Sequence, residues 1–284
     1  MDNLKANKTF KIKKAKTLIV KHEDIKDLKD KQEKLKEEFY DLQYKLFAEG
    51  RRSLLIVFQG MDASGKDGLI KYLMEGLNPQ GVQVTSFKHP TSRELSHDFI
   101  WRHYLALPEK GSIGIFNRSH YENVLISRVH TDLILAEKLP LEIEKKRDTN
   151  GFWNARFERI NSFEKNIAGH GTKVIKFFLH LSKAEQKQRF LKRVEDRERH
   201  WKFSTSDIEE RAYWNDYMNA YEKCIQATST RDNPWYVLPA DDKKSCRYIA
   251  LQIIVEELRK MKPKFPATNP KQEKLFKKVI KELK

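Results

Sequence analysis

Five short apolar runs punctuate an otherwise highly charged chain, at residues 54–58, 82–87, 113–116, 174–181 and 235–238. Each has the length of a buried strand, and each is separated from the next by a longer stretch with helical spacing of its apolar positions. That alternation predicts an α/β fold with a five-stranded, mostly parallel sheet. Ahead of the first run, Leu35, Phe39, Leu42 and Leu46 recur at intervals of three and four, which predicts an amphipathic helix packed on the main domain. Helices are predicted over 66–77 and 94–107; Asn78, Pro79, Gln80 and Gly81 stop the first, and Pro108 and Gly111 follow the second. Phe152, Trp153, Phe157 and Phe163 fall on one helical face and read as core. Beyond the fourth run, the charged segments 183–199 and 201–221 read as a helical flap. After Pro263 and Pro266 the tail is lysine-rich and is expected to be frayed or docked on a neighbour. The expected organisation is an N-terminal extension and helix over 1–50, one main domain over 51–262 with a lid at about 183–215, and a basic tail over 263–284.

Charge narrows the partners. Lys and Arg number 56 against 40 Asp and Glu, a formal +16 on 284 residues. Such an excess repels itself unless a polyanion answers it, and nucleic acid, an anionic membrane or inorganic polyphosphate would each serve. No apolar stretch approaches the roughly 20 residues a bilayer crossing needs, and the lysine-studded start lacks the apolar centre of a signal peptide. A cytoplasmic protein without membrane partners is therefore expected. Cys224 and Cys246 lack metal-ligand or disulfide-framework spacing and are expected to be buried, reduced thiols.

The most specific chemical signal is Gly60-Met61-Asp62-Ala63-Ser64-Gly65-Lys66-Asp67-Gly68, directly after the first strand. It matches G-x-x-x-x-G-K, in which backbone N–H groups around Gly65 converge on phosphate oxygens, the next helix adds its positive end, and Lys66 supplies a point charge. Asp67 stands where a magnesium-binding hydroxyl is usual, and Asp62 adds a second carboxylate. Two carboxylates in a phosphate loop repel the ligand unless a hard cation intervenes, so Asp62 and Asp67 are the expected metal ligands, for Mg²⁺ or alternatively Mn²⁺. The competing reading makes Asp67 a helix cap and Asp62 a turn residue.

The third strand ends in Asn117-Arg118-Ser119-His120-Tyr121-Glu122, at the carboxyl edge where ligands of open α/β sheets bind. Arg118 reads as a phosphate clamp, and Glu122 as a residue orienting the acceptor or its metal. In nucleoside-monophosphate kinases of the thymidylate kinase type a similar segment begins Asp-Arg, so Asn117 marks a missing carboxylate. Lys88 closes the second strand in position to meet phosphate; Phe87 suits either base stacking or the strand's own core. On the flap, Arg189, Arg193 and Arg197 lie at i, i+4 and i+8, a row suited to a chain of phosphates.

The loop, together with N-P-Q-G-V at 78–82, L-S-H-D-F-I-W-R-H-Y at 95–104, F-N-R-S-H-Y-E-N-V-L at 116–125, W-K-F-S at 201–204 and P-W-Y-V-L-P-A-D-D-K at 234–243, closely resembles polyphosphate kinases of family 2. The resemblance spans about residues 35–260. It implies a P-loop kinase three-layer sandwich with a helical lid, and Mg²⁺-dependent phosphoryl transfer between inorganic polyphosphate and adenine nucleotides in a homo-oligomer, dimer or tetramer. By the same similarity Lys66, Asp62, Asp67, Arg118, Arg189 and Arg193 fall on phosphate, metal and lid positions. The form beginning at Asn117 resembles the class that accepts both AMP and ADP. The expected catalytic set is Lys66, Asp62 and Arg118; Gly65, Lys66, Asp67, Arg189 and Arg193 are expected on polyphosphate, and Phe87, Lys88, Asn117, Arg118 and Glu122 on the nucleotide. Two rivals share parts of this pattern. One is an ATP-dependent nucleoside-monophosphate kinase of the thymidylate kinase type. The other is a nucleic-acid-binding P-loop protein, against which the chain offers no recognised nucleic-acid module.

Overall fold

The computed structural model describes residues 2–284. Helix α1 (Leu28–Glu49) leads into β1 (Ser53–Gln59), the phosphate-loop segment and α2 (Lys66–Met74), followed by β2 (Val82–Ser86). Two short helices, α3 (Ser92–Leu95) and α4 (Trp101–Tyr104), precede β3 (Ile113–Asn117). After it come α5 (Ile126–Val129), α6 (Leu141–Glu144) and α7 (Asn150–Gly169), then β4 (Thr172–His180). Helices α8 (Lys183–Glu195), α9 (Thr205–Glu210) and α10 (Trp214–Thr228) lead to β5 (Trp235–Pro239), α11 (Lys243–Met261) and α12 (Pro270–Leu283).

The five strands form one sheet in the order β2-β3-β1-β4-β5, and every pairing is parallel. All seven residues of β1 are buried, as expected of a central strand covered on both faces. Its side chains alternate between two cores. Leu54, Ile56 and Phe58 pack with α1, α2 and α11, through Phe39, Leu69 and Ile254 among others. Leu55 and Val57 face α7 and α10, through Phe157, Ile160 and Tyr221. The result is the three-layer sandwich implied by the resemblance, with the four aromatic residues of α7 buried as read.

Several boundaries differ from expectation, each for a local reason. Helix α2 stops at Met74 because Gly76 (φ +86°) turns the chain and the Tyr40 hydroxyl takes the Glu75 carbonyl at 2.6 Å. The helix expected over 94–107 is two single turns. The Thr91–Glu94 capping box starts the first, Ser96 Oγ bonds back to the Arg93 carbonyl, and Asp98 Oδ1 accepts the Ile100 N–H, so a new turn begins instead of a continuation. The expected flap is not uniform: α10 is core, with Trp214, Tyr217, Tyr221 and Ile225 buried. The N-terminal segment, unassigned from sequence, covers the β5 edge by donating the Ala6 N–H to the Trp235 carbonyl at 2.8 Å and inserts Ile12 into the core. The tail folds as α12, begun by an Asn269–Gln272 capping box, with Leu275, Phe276, Val279, Ile280 and Leu283 exposed. Cys224 and Cys246 are buried free thiols, and burial pushes each pKa up to about 12. Among the described residues no helix is long and apolar enough to cross a membrane.

Candidate functional site

A cavity of about 900 Å³ opens at the carboxyl ends of β1, β2 and β3. Parallel strands direct the loops that follow them to this edge, so β1 delivers Asp62–Asp67, β2 delivers Phe87 and Lys88, and β3 delivers Asn117, Arg118 and Glu122 to one place.

The loop's shape depends on two glycines. Gly60 has φ +157°, and a Cβ there would stand 2.8 Å from Ser64 Oγ and 3.0 Å from the Leu179 carbonyl oxygen. Gly65, at φ +103°, precedes α2, whose first turn no side chain caps. The helix therefore presents its N-terminal amide groups to the cavity. Ala63 also takes a left-handed φ of +61°, as does Arg118 at +63°, a conformation that costs a side-chain-bearing residue roughly 1–2 kcal/mol. The Arg118 N–H donates to the Phe58 carbonyl at 3.2 Å, which ties the end of β3 to the end of β1.

Lys66 is buried and folded onto the loop, its Nζ donating to the carbonyls of Gly60 at 2.6 Å and Met61 at 3.3 Å. Burial, and then the charge of Arg118, push its pKa down, while Asp62, Glu122 and Asp67 act in the opposite sense. Arg118 donates to Asp62 Oδ1 at 2.8 Å and lies 3.8 Å from Glu122. Glu122 first, with Asp62 after the opposing effect of burial, holds its guanidinium cationic. Asn117 Nδ2 donates to Asp67 Oδ1 at 2.8 Å. An aspartate there would instead set two carboxylates in contact.

The donor set suits a hard divalent cation. Among the described residues no three His, Cys, Asp or Glu side chains converge into a ready-made cage. Magnesium does not need one, since it binds through one or two carboxylates and completes its shell with water and phosphate oxygens. Asp62 and Asp67, both within the phosphate loop, line the cavity.

The lid arginines are placed differently from the expected row. Helix α8 ends at Glu195 because Asp196 leaves helical geometry and caps the following turn, so Arg197 is off the helix and the row stops at two. Arg189 is buried and all five of its N–H groups meet protein oxygens. They reach Glu185 Oε1, the carbonyls of Ala63 and Ser64 at 3.0 and 2.8 Å, and those of Ala240 and Asp241 at 2.6 and 3.2 Å. It therefore grips the carbonyl side of the phosphate loop and ties it to the end of β5, rather than offering its fork to a phosphate. Arg193 pairs with Asp207 of α9 at 2.8 Å. Burial, and then the nearby Asp62, raise the pKa of Asp207, so the lid brings a carboxylate toward the phosphate loop.

On the acceptor side Lys88 is exposed on the cavity wall. Phe87 is packed as core: it is buried, with His103 at 4.4 Å and Phe116 edge-on at 4.9 Å, while Arg102 stands 5.2 Å from its ring. Of its two sequence readings the packed one describes its place. Arg102 and Gln186 were missed. Arg102 lines the cavity, pairs with Glu94 at 3.6 Å and donates to the Lys88 carbonyl; Gln186 donates to the Asp62 carbonyl at 3.0 Å. Arg102 sits within the 95–104 block, but nothing in its spacing shows that it turns back over β2.

A parallel sheet in 2-3-1-4-5 order, with the G-x-x-x-x-G-K loop after its central strand and an arginine directly after the neighbouring strand on the same cavity, defines a P-loop kinase-type α/β protein. The chain belongs to the polyphosphate kinase 2 family, whose sequence model matches residues 22–266. It is 50% identical over 238 residues to an ADP-polyphosphate phosphotransferase of Rhodopseudomonas palustris, covering 84% of this chain and 81% of that one. It is 42% identical over 234 residues to an AMP/ADP-polyphosphate phosphotransferase of Meiothermus ruber, covering 82% of each. The crystal structure of polyphosphate kinase 2 from Arthrobacter aurescens TC1 superposes with a TM-score of 0.86 at 34% identity, over 99% of this chain and 96% of that one.

Proposed function

We propose that this protein moves the terminal phosphoryl group of inorganic polyphosphate to AMP and ADP, making ADP and ATP, and runs in reverse when nucleotide is in excess. The observation that carries the reading is the meeting of Lys66, Arg118 and two loop carboxylates on one cavity. The relatives named for ADP or for both AMP and ADP support polyphosphate as donor and adenine nucleotides as acceptors.

The acceptor's terminal phosphate oxygen is already ionised near neutral pH, so no strong base is required and positioning with charge stabilisation carries the catalysis. Lys66 moves from its own loop carbonyls to the transferring phosphate, whose charge reverses the cost of keeping a buried ammonium. Arg118, held between Asp62 and Glu122, spreads charge on the acceptor side. Asp62 and Asp67 would hold a divalent cation, Mg²⁺ in this reading, which would supply neutralisation of the phosphate charge that the two carboxylates otherwise repel. Arg189 keeps the loop in shape, and closure of α8 and α9 excludes water, which strengthens each of these interactions.

A donor competition tests the proposal. AMP is incubated with polyphosphate or with ATP and Mg²⁺, and products are followed by phosphorus NMR. Phosphorylation from polyphosphate is expected; use of ATP alone would make the protein an ordinary nucleoside-monophosphate kinase. Tight, salt-dependent DNA binding without transfer would favour the nucleic-acid reading instead.

A further inference from the structure

Helix α12 belongs neither to the cavity nor to either core. It follows a non-helical stretch that contains Pro263 and Pro266, and it lies beyond residue 266, where the match to the family ends. The Phe265 ring meets Tyr44 of α1 edge-on at 5.8 Å, which seats this stretch on the body of the protein. From residue 264 to 284 every position is exposed. Among the described residues the side-chain bonds of α12 are all local: the Asn269–Gln272 capping box, Thr268 to Glu273, and Lys278 with Glu282.

The helix is two-sided. Leu275, Phe276, Val279, Ile280 and Leu283 recur at helical spacing and make one apolar stripe; all five are exposed, so no part of the described chain covers it. Lys271, Lys274, Lys277, Lys278 and Lys281 fall on the opposite side, with only Glu273 and Glu282 against them. A lone helix of 14 residues is marginal in water, so its stability has to come from what covers the stripe. Charge selects the occupant. A second copy would bring lysine-rich helix to lysine-rich helix on two bodies of +16 each, and a pair of helices roughly 21 Å long buries far less than the roughly 1,200 Å² of a stable interface. An anionic lipid surface answers both sides at once: its acyl boundary takes the apolar stripe while its headgroups attract the lysines. Among the described residues no helix is long and apolar enough to cross a bilayer, but a helix lying flat on one needs no such length.

We infer that α12 is a peripheral docking helix that seats this protein on an anionic lipid surface, its apolar stripe in the acyl boundary and its lysines at the headgroups. The proline-containing stretch before it holds the helix off the body, which leaves the stripe free to lie flat. No residue of α12 lines the cavity, so docking is separate from the site at the phosphate loop.

The test is co-sedimentation of the full chain with vesicles of phosphatidylcholine alone and of phosphatidylcholine mixed with phosphatidylserine. The wild type is expected to partition onto the mixed vesicles at least about tenfold more strongly than onto the neutral ones. A Phe276→Gln, Ile280→Gln variant and a Lys277→Gln, Lys278→Gln, Lys281→Gln variant should each lose at least about tenfold of that binding. Melting temperature and kcat should not change in either, because all five positions are exposed and outside the cavity. Equal binding to both kinds of vesicle, or variants that bind like the wild type, would overturn the docking helix. Loss in the lysine variant alone would reduce the contact to attraction of any polyanion and overturn it equally. A wild-type oligomer, seen by light scattering without vesicles, that falls apart in the Phe276→Gln, Ile280→Gln variant would give the stripe to a second copy instead.

Discussion

At the scale of single residues, Lys66 and Arg189 divide the work of the phosphate loop between its two sides. Among the described residues Lys66 hydrogen-bonds only to the loop's own carbonyls, which a phosphate outcompetes, so Lys66→Ala should leave a folded protein whose kcat falls by at least about a hundredfold; steady-state turnover with a melting curve checks both halves. Arg189 acts by shape. Its planar fork joins Ala63, Ser64, Ala240 and Asp241, and an ammonium has three donors and no plane. Arg189→Lys should therefore leave buried carbonyls unsatisfied and cost about 2–4 kcal/mol of stability, measured by urea unfolding, with a loss of transfer to match. Helical spacing placed Arg189 in the right region of the chain. Its partners, drawn from the β1–α2 loop and the end of β5, were invisible until the fold brought them together.

At the scale of elements, the end of β3 is held by a buried ionic network behind the cavity. Glu164 of α7 accepts from Lys176 of β4 at 2.6 Å and from Tyr121 at 2.6 Å, with His120 at 3.4 Å, and Lys176 also reaches the Thr228 carbonyl. Because His120 and Tyr121 lie between Arg118 and Glu122 in the chain, this network fixes the backbone that carries both. Removing one partner strands the other charge, so Glu164→Ala should destabilise by about 3–5 kcal/mol in chemical denaturation. The thiols packed in α10 and α11 give a second element-scale expectation. With pKa values pushed up to about 12 by burial, Cys224 and Cys246 should resist a thiol reagent at pH 8 in the native protein and react after unfolding. The sign of the linkage follows. The folded state holds these protons more tightly than the unfolded chain, so their contribution is complete below about pH 8.5 and is lost as pH rises toward 12, which unfolding measured across that window would show.

For the whole molecule, the net charge of +16 becomes a directed property once the basic side chains are located, since Arg189, Arg193, Arg199, Lys243 and Arg247 all border the one cavity. Attraction of a long anion over such a surface is screened within about 8 Å at physiological ionic strength. Raising salt from about 50 to 500 mM should increase the KM for long-chain polyphosphate several-fold and change kcat little, as initial-rate measurements would show. By itself the sequence determined the strands, the burial of four of them, the phosphate loop and its two carboxylates, because backbone periodicity and glycine geometry are local properties written in adjacent residues; β2, read as a buried run, lies at the sheet edge with Val84 exposed. Only the tertiary structure decided that Arg189 faces the loop's carbonyls, that Phe87 is core, that Arg197 leaves the helix and that α11 extends the cavity. Each of those outcomes depends on which distant backbone groups and side chains meet, and spacing along a chain carries no record of that.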